Sequence, residues 1–367
     1  MKGKNFPLKI KQFALSIINR IKGHLMECVN SIHLRLLNYI GFIVIILFML
    51  IIFVLALIRG GIAGKLDDQQ IVSRWTDGND YAAVSLFFPY GTKIDSMAVL
   101  SAENTVTVSL NGISMVPTSD SQRLWVDCFI EQGTVTAKTD RASESLKAYG
   151  IRGDYFLFHP MEFVSGGYMP SDSVMKDYVI IDELTAWNLF GAIEVDGMYL
   201  YIGGVPHLIT GVVKVPDDKL SKAGGSCEKV IYLSCESLEA YGTVETALSY
   251  ELLMPEPYEG FAFEAIHAAF TSYEKTGVWV DNSKRFGWRH LYDVFKARNS
   301  QIMQTKPVIY PYWENVALYK ENICMHILIV QFVLAIITFI VFVSEIFSMW
   351  RMISRHFLEK KLSKYHP

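Results

Sequence analysis

Residues 158–216 read FHPMEFVSGGYMPSDSVMKDYVIIDELTAWNLFGAIEVDGMYLYIGGVPHLITGVVKVP, and this stretch decides the fold expected for the middle of the chain. Within it, residues 178–181 form a short apolar run that predicts a β-strand. Residues 182–190 begin with two acids and end before Gly191, which is typical of a helix with a glycine at its C-terminus. Residues 198–213 hold two apolar runs around a Gly-Gly pair and predict a hairpin. The stretch therefore predicts a strand, a helix and a hairpin in that order.

The segments on either side of this stretch extend the same mixture of strands and helices. Further strands are predicted at residues 81–88, 123–130, 134–137, 229–233 and 250–254. Gly133 separates two of these runs, and we expect it to form the turn of a hairpin. Helices are expected at 259–275 and 290–303. Because strands and helices do not alternate strictly, the predicted class is an α+β domain.

Two long apolar runs lie outside this domain. Residues 36–58 carry no charge, and as a helix they would cover roughly 35 Å, which is enough for a bilayer core of about 30 Å. Residues 323–347 form the second run. We therefore expect transmembrane helices at 36–58 and 323–347, with the α+β domain at 65–318 between them. A cleaved signal peptide is the alternative for the first run, although both its basic and its apolar regions would be unusually long.

The distribution of charge predicts the orientation of the chain. The net charge is only −3, which gives no case for nucleic-acid binding. Residues 1–35 carry an excess of six positive charges, residues 65–318 an excess of thirteen negative charges, and the tail 348–367 an excess of four positive charges. Because basic segments stay on the cytoplasmic side, both termini are expected inside and residues 65–318 outside the cell membrane.

The basic segment 1–35 contains an amphipathic helix. Its apolar face is expected to consist of Phe6, Ile10, Phe13, Ile17 and Ile21, which recur at spacings of three or four. Such a helix can lie on the inner membrane surface and bind anionic lipid as a topology signal. Alternatively, the same face is a docking site for a cytoplasmic partner.

The sequence contains no pattern that predicts catalysis. Neither His-Glu-x-x-His nor Cys-x-x-Cys occurs, and His159 before Pro160 is expected to be a turn residue. We therefore expect no catalytic residue, no cofactor and no metal site, and the protein is predicted not to be an enzyme. The domain contains Cys128, Cys227 and Cys235, and the last two could pair or remain free thiols.

The order of turns and strands in residues 158–216 resembles the MacB-like periplasmic core domain of ABC transporter permeases, the type found in MacB, FtsX and LolC/LolE. The resemblance implies a porter-like part with an inserted subdomain at about 160–245. It also implies an extracytoplasmic domain between the first two spans of a permease, moved by a separate cytoplasmic ABC ATPase.

The chain departs from that family because the usual permease has two more spans after the second. We therefore expect either a further permease chain or a homo-oligomer to supply them. The first hypothesis is a non-catalytic, permease-like subunit of an ABC-type export or mechanotransmission complex. The alternative is a membrane-anchored envelope sensor or scaffold whose outer domain binds a ligand or a protein.

Overall fold

The computed structural model describes residues 39–76, 80–117, 119, 122–169, 175–301 and 307–362. The chain divides into two compact units. We call Gly60–Met325 the sheet unit, and we call Met1–Arg59 together with His326–Pro367 the helical unit.

The described helices and strands follow one another in a mixed order. The α-helices are α1 (Tyr39–Ala63), α2 (Ile71–Trp75), α3 (Ser96–Gly112), α4 (Tyr155–Phe158), α5 (Glu183–Phe190), α6 (Lys219–Gly224), α7 (Cys235–Tyr241), α8 (Phe261–Ala269), α9 (Trp288–Gln301) and α10 (Tyr312–Leu362). The strands are β1 (Tyr81–Phe87), β2 (Val126–Lys138), β3 (Ser143–Gly153), β4 (Phe163–Gly166), β5 (Tyr178–Asp182), β6 (Tyr199–Ile202), β7 (Val205–Val213), β8 (Val230–Ser234), β9 (Thr243–Pro255) and β10 (Val278–Asp281).

The strands of the sheet unit form one sheet in the order β10-β1-β9-β2-β3-β8-β5-β7-β4, and β6 pairs with β2 and β7. Pairing is antiparallel except between β3 and β8 and between β5 and β7. This mixture confirms the predicted α+β class. The long strands β9 and β2 lie side by side near the middle of the sheet, and residues 126–131 of β2 and 246–255 of β9 are buried on both faces.

The stretch that decided the predicted fold has the expected structure. Asp182 ends β5, and its carboxylate accepts a hydrogen bond from the backbone N–H of Leu184 at the start of α5. Gly191 ends α5 with a φ of 77°, the left-handed conformation that glycine adopts without strain. The β6–β7 hairpin turns at Gly203 and Gly204, both with positive φ.

The predicted hairpin turn at Gly133 is wrong. Gly133 lies inside the single strand β2, and the hairpin with β3 turns six to nine residues later, at 139–142. A Cβ atom on Gly133 would lie 2.2 Å from the carbonyl oxygen of Thr243 on β9. The register between β2 and β9 shifts beside this glycine. The glycine therefore permits a β-bulge and a close backbone approach, which is its other common role within a strand.

The prediction of helices was less accurate. The helix expected at 259–275 ends earlier, because α8 stops at Ala269 and the chain continues as a 3₁₀ turn, Thr271–Tyr273. Phe270, just after α8, is buried with its ring 5.6 Å from that of Phe88. The helix α3, which packs beside α8 on one face of the sheet, was not predicted from the sequence. Its buried residues Val99, Ala102, Val106 and Leu110 keep helical spacing, although Ser, Thr and Val otherwise dominate the segment.

In the helical unit, α1 and the greater part of α10 are long and apolar enough to cross a membrane. The side-chain amide of Gln331 on α10 donates a 3.0 Å hydrogen bond to the carbonyl oxygen of Ile52 on α1. A buried polar group in an apolar helix thus has a partner in the neighbouring helix. The apolar part of α10 extends over the predicted span 323–347, and the helix continues beyond it in both directions.

Candidate coupling site around a buried histidine

His159 follows the single turn of α4 and is buried, with 3% of its surface exposed. Gly153 precedes this turn with a φ of 75°, and a Cβ atom there would lie 2.4 Å from the carbonyl oxygen of Asp127. The backbone N–H of His159 closes the turn on the carbonyl of Tyr155 at 2.8 Å. The local backbone geometry therefore directs the imidazole into the interior. From the sequence, His159 was expected to be an ordinary turn residue.

The imidazole of His159 joins three parts of the sheet unit. Its Nδ1 lies 2.8 Å from a carboxylate oxygen of Asp68, in the 3₁₀ turn that follows α1. Its Nε2 lies 3.1 Å from Oε1 of Glu251 on β9. The ring also packs on Trp313 in the first turn of α10, with 4.3 Å between ring centres. We call His159, Asp68, Glu251 and Trp313 the histidine node.

The histidine node favours a protonated imidazole. Burial lowers the pKa of His159, but the negative charge of Glu251 and the hydrogen bonds to Asp68 and Glu251 outweigh it and raise the pKa to about 9. Both ring nitrogens can then donate to carboxylates, so neither carboxylate is left without a partner.

Hydrogen bonds extend from the node across the sheet. Glu251 accepts bonds from the hydroxyls of Ser249, at 3.3 Å, and Ser85 on β1, at 3.2 Å. The side-chain amide of Asn282 donates to the Ser85 hydroxyl at 2.7 Å. Asn282 lies in the 3₁₀ turn after β10, so the buried polar groups reach the edge of the sheet.

The same turn leads to a buried arginine. Arg285, 1% exposed, makes two 2.7 Å hydrogen bonds to the carboxylate of Glu314 and a 2.8 Å bond from its Nε to Glu321. His290 on α9 lies 2.8 Å from the other oxygen of Glu321. Glu314 and Glu321 stand seven residues apart on one face of α10. We call Arg285, Glu314, Glu321 and His290 the arginine cluster.

The segment after α1 has a second attachment besides Asp68. The guanidinium of Arg74 on α2 donates to the carbonyl oxygens of Leu157 and Phe158, at 2.7 and 3.1 Å. These carbonyls belong to α4, immediately before His159. Within the sheet unit, the segment after α1 and the first turns of α10 are thus both held by charged hydrogen bonds, which are the stronger kind.

The predicted site residues and the observed ones do not overlap. Phe6, Ile10, Phe13, Ile17 and Ile21 lie outside the described residues. The cysteines Cys128, Cys227, Cys235 and Cys324 are all free, so of the two alternatives for Cys227 and Cys235 the structure has the free thiols. The histidine node was missed because its members come from distant parts of the sequence. The one available signal was a histidine in an otherwise apolar and aromatic run, YFLFHP, at 155–160.

Two solved structures are similar to this chain. The extracellular domain of YknZ, an ABC-type transporter from Gram-positive bacteria, is 16% identical, with a TM-score of 0.34 over 54% of this chain and 98% of that domain. The periplasmic region of MacB from Actinobacillus actinomycetemcomitans is 15% identical, with a TM-score of 0.39 over 59% of this chain and 92% of that region. The second of these is a region of MacB, which is the family named in the resemblance of residues 158–216.

No protein-family model matches the sequence, and a comparison with curated proteins finds no match.

Proposed function

We propose that the chain is a non-catalytic, permease-like subunit of an ABC-type export or mechanotransmission complex, whose sheet unit is moved by a separate ATPase. The observation that carries the proposal is that, within the sheet unit, the segments next to both apolar helices are fastened to the strands and to the turns beside them. Asp68 fastens the segment after α1, and Trp313 and Glu314 fasten the first turns of α10. Packed interiors have low compressibility and transmit strain, so displacing either segment would displace the sheet.

The distribution of charge supports the placement of the sheet unit outside the plasma membrane. The strongly acidic residues 65–318 lie between the basic segments 1–35 and 348–367. Positive segments next to membrane spans are retained in the cytoplasm, whereas long domains are translocated largely regardless of their charge. Both termini are then available to a cytoplasmic partner.

We place the ATPase contact on the apolar face formed by Phe6, Ile10, Phe13, Ile17 and Ile21. A face of this kind binds either lipid or a groove in a partner protein. An acidic substitution on the face would weaken binding to lipid and binding to a groove in a partner protein. A neutral substitution on the opposite side of the helix would leave the apolar face intact. The two sides of the segment therefore supply matched variants.

Co-purification tests the proposal. The tagged full-length chain is extracted from native membranes in a mild detergent, and its partners are identified by mass spectrometry. We expect an ABC ATPase together with a further permease chain or additional copies of this chain. The double variant F13D/I17D should lose the ATPase, and the control K11Q, on the polar side, should retain it.

One result would decide against this function, and a second would decide against the docking face alone. A complex without an ATPase and without a second permease chain would favour the alternative, an envelope sensor or scaffold anchored by its two helices. Retention of the ATPase by F13D/I17D, with both variants present in the membrane at the level of the unaltered chain, would remove the docking face and leave the subunit assignment standing.

A further inference from the structure

Cys128 lies next to the histidine node. It is fully buried on β2, directly opposite Glu251 on β9 in the register of the sheet. Ser85 on β1 stands opposite Glu251 on its other side. Residues paired across neighbouring strands project from the same face of a sheet, so Cys128, Glu251 and Ser85 form one row beneath the ring of His159.

Three different donor atoms converge at this point. The sulfur of Cys128, a ring nitrogen of His159 and a carboxylate oxygen of Glu251 all lie within 4.8 Å of one another. Donors around a tetrahedral Zn²⁺ stand about 3.3–3.8 Å apart, as follows from metal–ligand bonds of about 2.0–2.3 Å. Small side-chain rotations therefore suffice to bring the three atoms to bonding distance.

Asp68 completes the arrangement from the other side of the ring. A metal-binding histidine usually donates its second N–H to a carboxylate, which fixes the ring orientation and makes the ligand more basic. The carboxylate of Asp68 lies 2.8 Å from Nδ1 of His159, while Nε2 points to Glu251. The imidazole is thus oriented as in a carboxylate–histidine–metal triad.

We propose that Cys128, His159 and Glu251 bind a divalent transition metal ion, Zn²⁺ above all, with Asp68 as a positioning residue. Thiolate and imidazole ligands select Zn²⁺ over Mg²⁺ and Ca²⁺, which prefer oxygen alone. This inference goes beyond the proposed function and does not depend on it. It also departs from the sequence-based expectation of no metal site, since the ligands are 31 and 92 residues apart and share no motif.

Binding of the divalent ion releases two protons, so the net charge of the site does not change. Without metal, the site holds a neutral thiol, an imidazolium and the carboxylates of Glu251 and Asp68, with one net negative charge. Binding of Zn²⁺ releases the thiol proton of Cys128 and the Nε2 proton of His159 to solvent. The site then holds a thiolate, a neutral imidazole, two carboxylates and the divalent ion, again with one net negative charge. Binding therefore adds no uncompensated charge to the interior.

Titration with Co²⁺, which substitutes for Zn²⁺ and absorbs visible light, tests the site. The full-length protein in detergent is treated with a chelator, kept reduced and titrated anaerobically. We expect one equivalent to bind, with a thiolate-to-cobalt charge-transfer band that Zn²⁺ abolishes by displacement. The variant C128S should lose the band, and the control C235S, at another buried free cysteine, should keep it. The variant D68N should retain the band but bind about 10–100-fold more weakly.

The proposal is overturned if the folded, unaltered protein shows no charge-transfer band, a result that does not require any variant to fold. It is also overturned if C128S keeps the band. In either case His159 acts only as a buried imidazolium between two carboxylates. Because the readout is a spectrum of the isolated chain, loss of the metal site and loss of the ATPase partnership are distinguishable.

Discussion

Arg285 is the residue on which the attachment of α10 most depends. Its replacement by Met would leave the carboxylates of Glu314 and Glu321 buried without their cation, and we expect a loss of about 3–5 kcal/mol in the free energy of unfolding. Denaturant unfolding of the full chain in detergent measures this. The control is K284M, because Lys284 is 46% exposed and its ion pairs are worth at most about 1 kcal/mol.

A triple variant tests whether the loss of stability in R285M comes from the two buried carboxylates that it leaves without the arginine. In R285M/E314Q/E321Q no buried charge remains among these three residues, so we expect most of the lost stability to return. If R285M alone is as stable as the unaltered chain, the arginine cluster does not hold the first turns of α10 in place within the sheet unit.

We expect the buried carboxyl group of Glu131 to make the stability of the folded chain depend on pH. It lies on β2, 2% exposed, and burial, followed by the charges of Glu239 and Glu236 on α7, raises its pKa to about 8. Because the folded pKa exceeds the unfolded value of about 4.3, folding favours the protonated acid, and its stabilisation is lost as the pH rises toward 8. Relative to the unaltered chain, E131Q should therefore gain stability between pH 5 and pH 8.

Thermal unfolding at several pH values measures this gain. The control is E228Q, a change at an exposed carboxylate on the same unit. A constant difference between E131Q and the unaltered chain from pH 5 to pH 8 would show that Glu131 does not titrate in this range.

At the scale of elements, the β2–β9 pair depends on Gly133. The change G133A would place a methyl group against the carbonyl of Thr243, and we expect a destabilisation of about 1–3 kcal/mol, as for other overpacked positions. The control G112A, at the end of α3, adds a methyl group to open space and should be neutral or slightly stabilising. Equal stability of the two variants in denaturant unfolding would contradict the close backbone approach at Gly133.

Local signals account for the elements that the sequence predicted correctly. The strand β5, the helix α5 and the β6–β7 hairpin are each defined by an apolar run, a capping acid or a turn glycine within a few residues. The helix α3 was missed because Thr105, Thr107 and Ser109 are poor helix formers in isolation. In the fold each hydroxyl bonds to the carbonyl four residues earlier, while the apolar face packs on the sheet.

The histidine node could not be predicted from the sequence for a physical reason. Asp68 and Glu251 are 91 and 92 residues from His159, and only the sheet register and the turn at Gly153 bring them together. A single sequence gives hydrophobic periodicity but not strand register. The resemblance carried by residues 158–216 gave the fold, whereas it carried no information on the charged contacts that form the site.

For the whole molecule, the expected orientation across the membrane predicts which engineered cysteines react from outside the cell. In a C227S background, a cysteine at Val108, which is 67% exposed on the sheet unit, should react with a membrane-impermeant maleimide on intact cells. A cysteine at Lys4 should react only after permeabilisation, because the basic N-terminal segment is expected inside. Labelling of K4C on intact cells would contradict the orientation.

Under the proposed function, the work of a separate ATPase reaches the sheet through the segments that follow α1 and begin α10. Hydrogen–deuterium exchange of the complex in nanodiscs, with and without ATP and vanadate, tests it most directly. We predict nucleotide-dependent changes at residues 67–76 and 312–321 and in β1 and β9, and none with an ATPase that cannot hydrolyse ATP. Exchange changes confined to the ATPase, with residues 60–325 unaffected, would contradict the account.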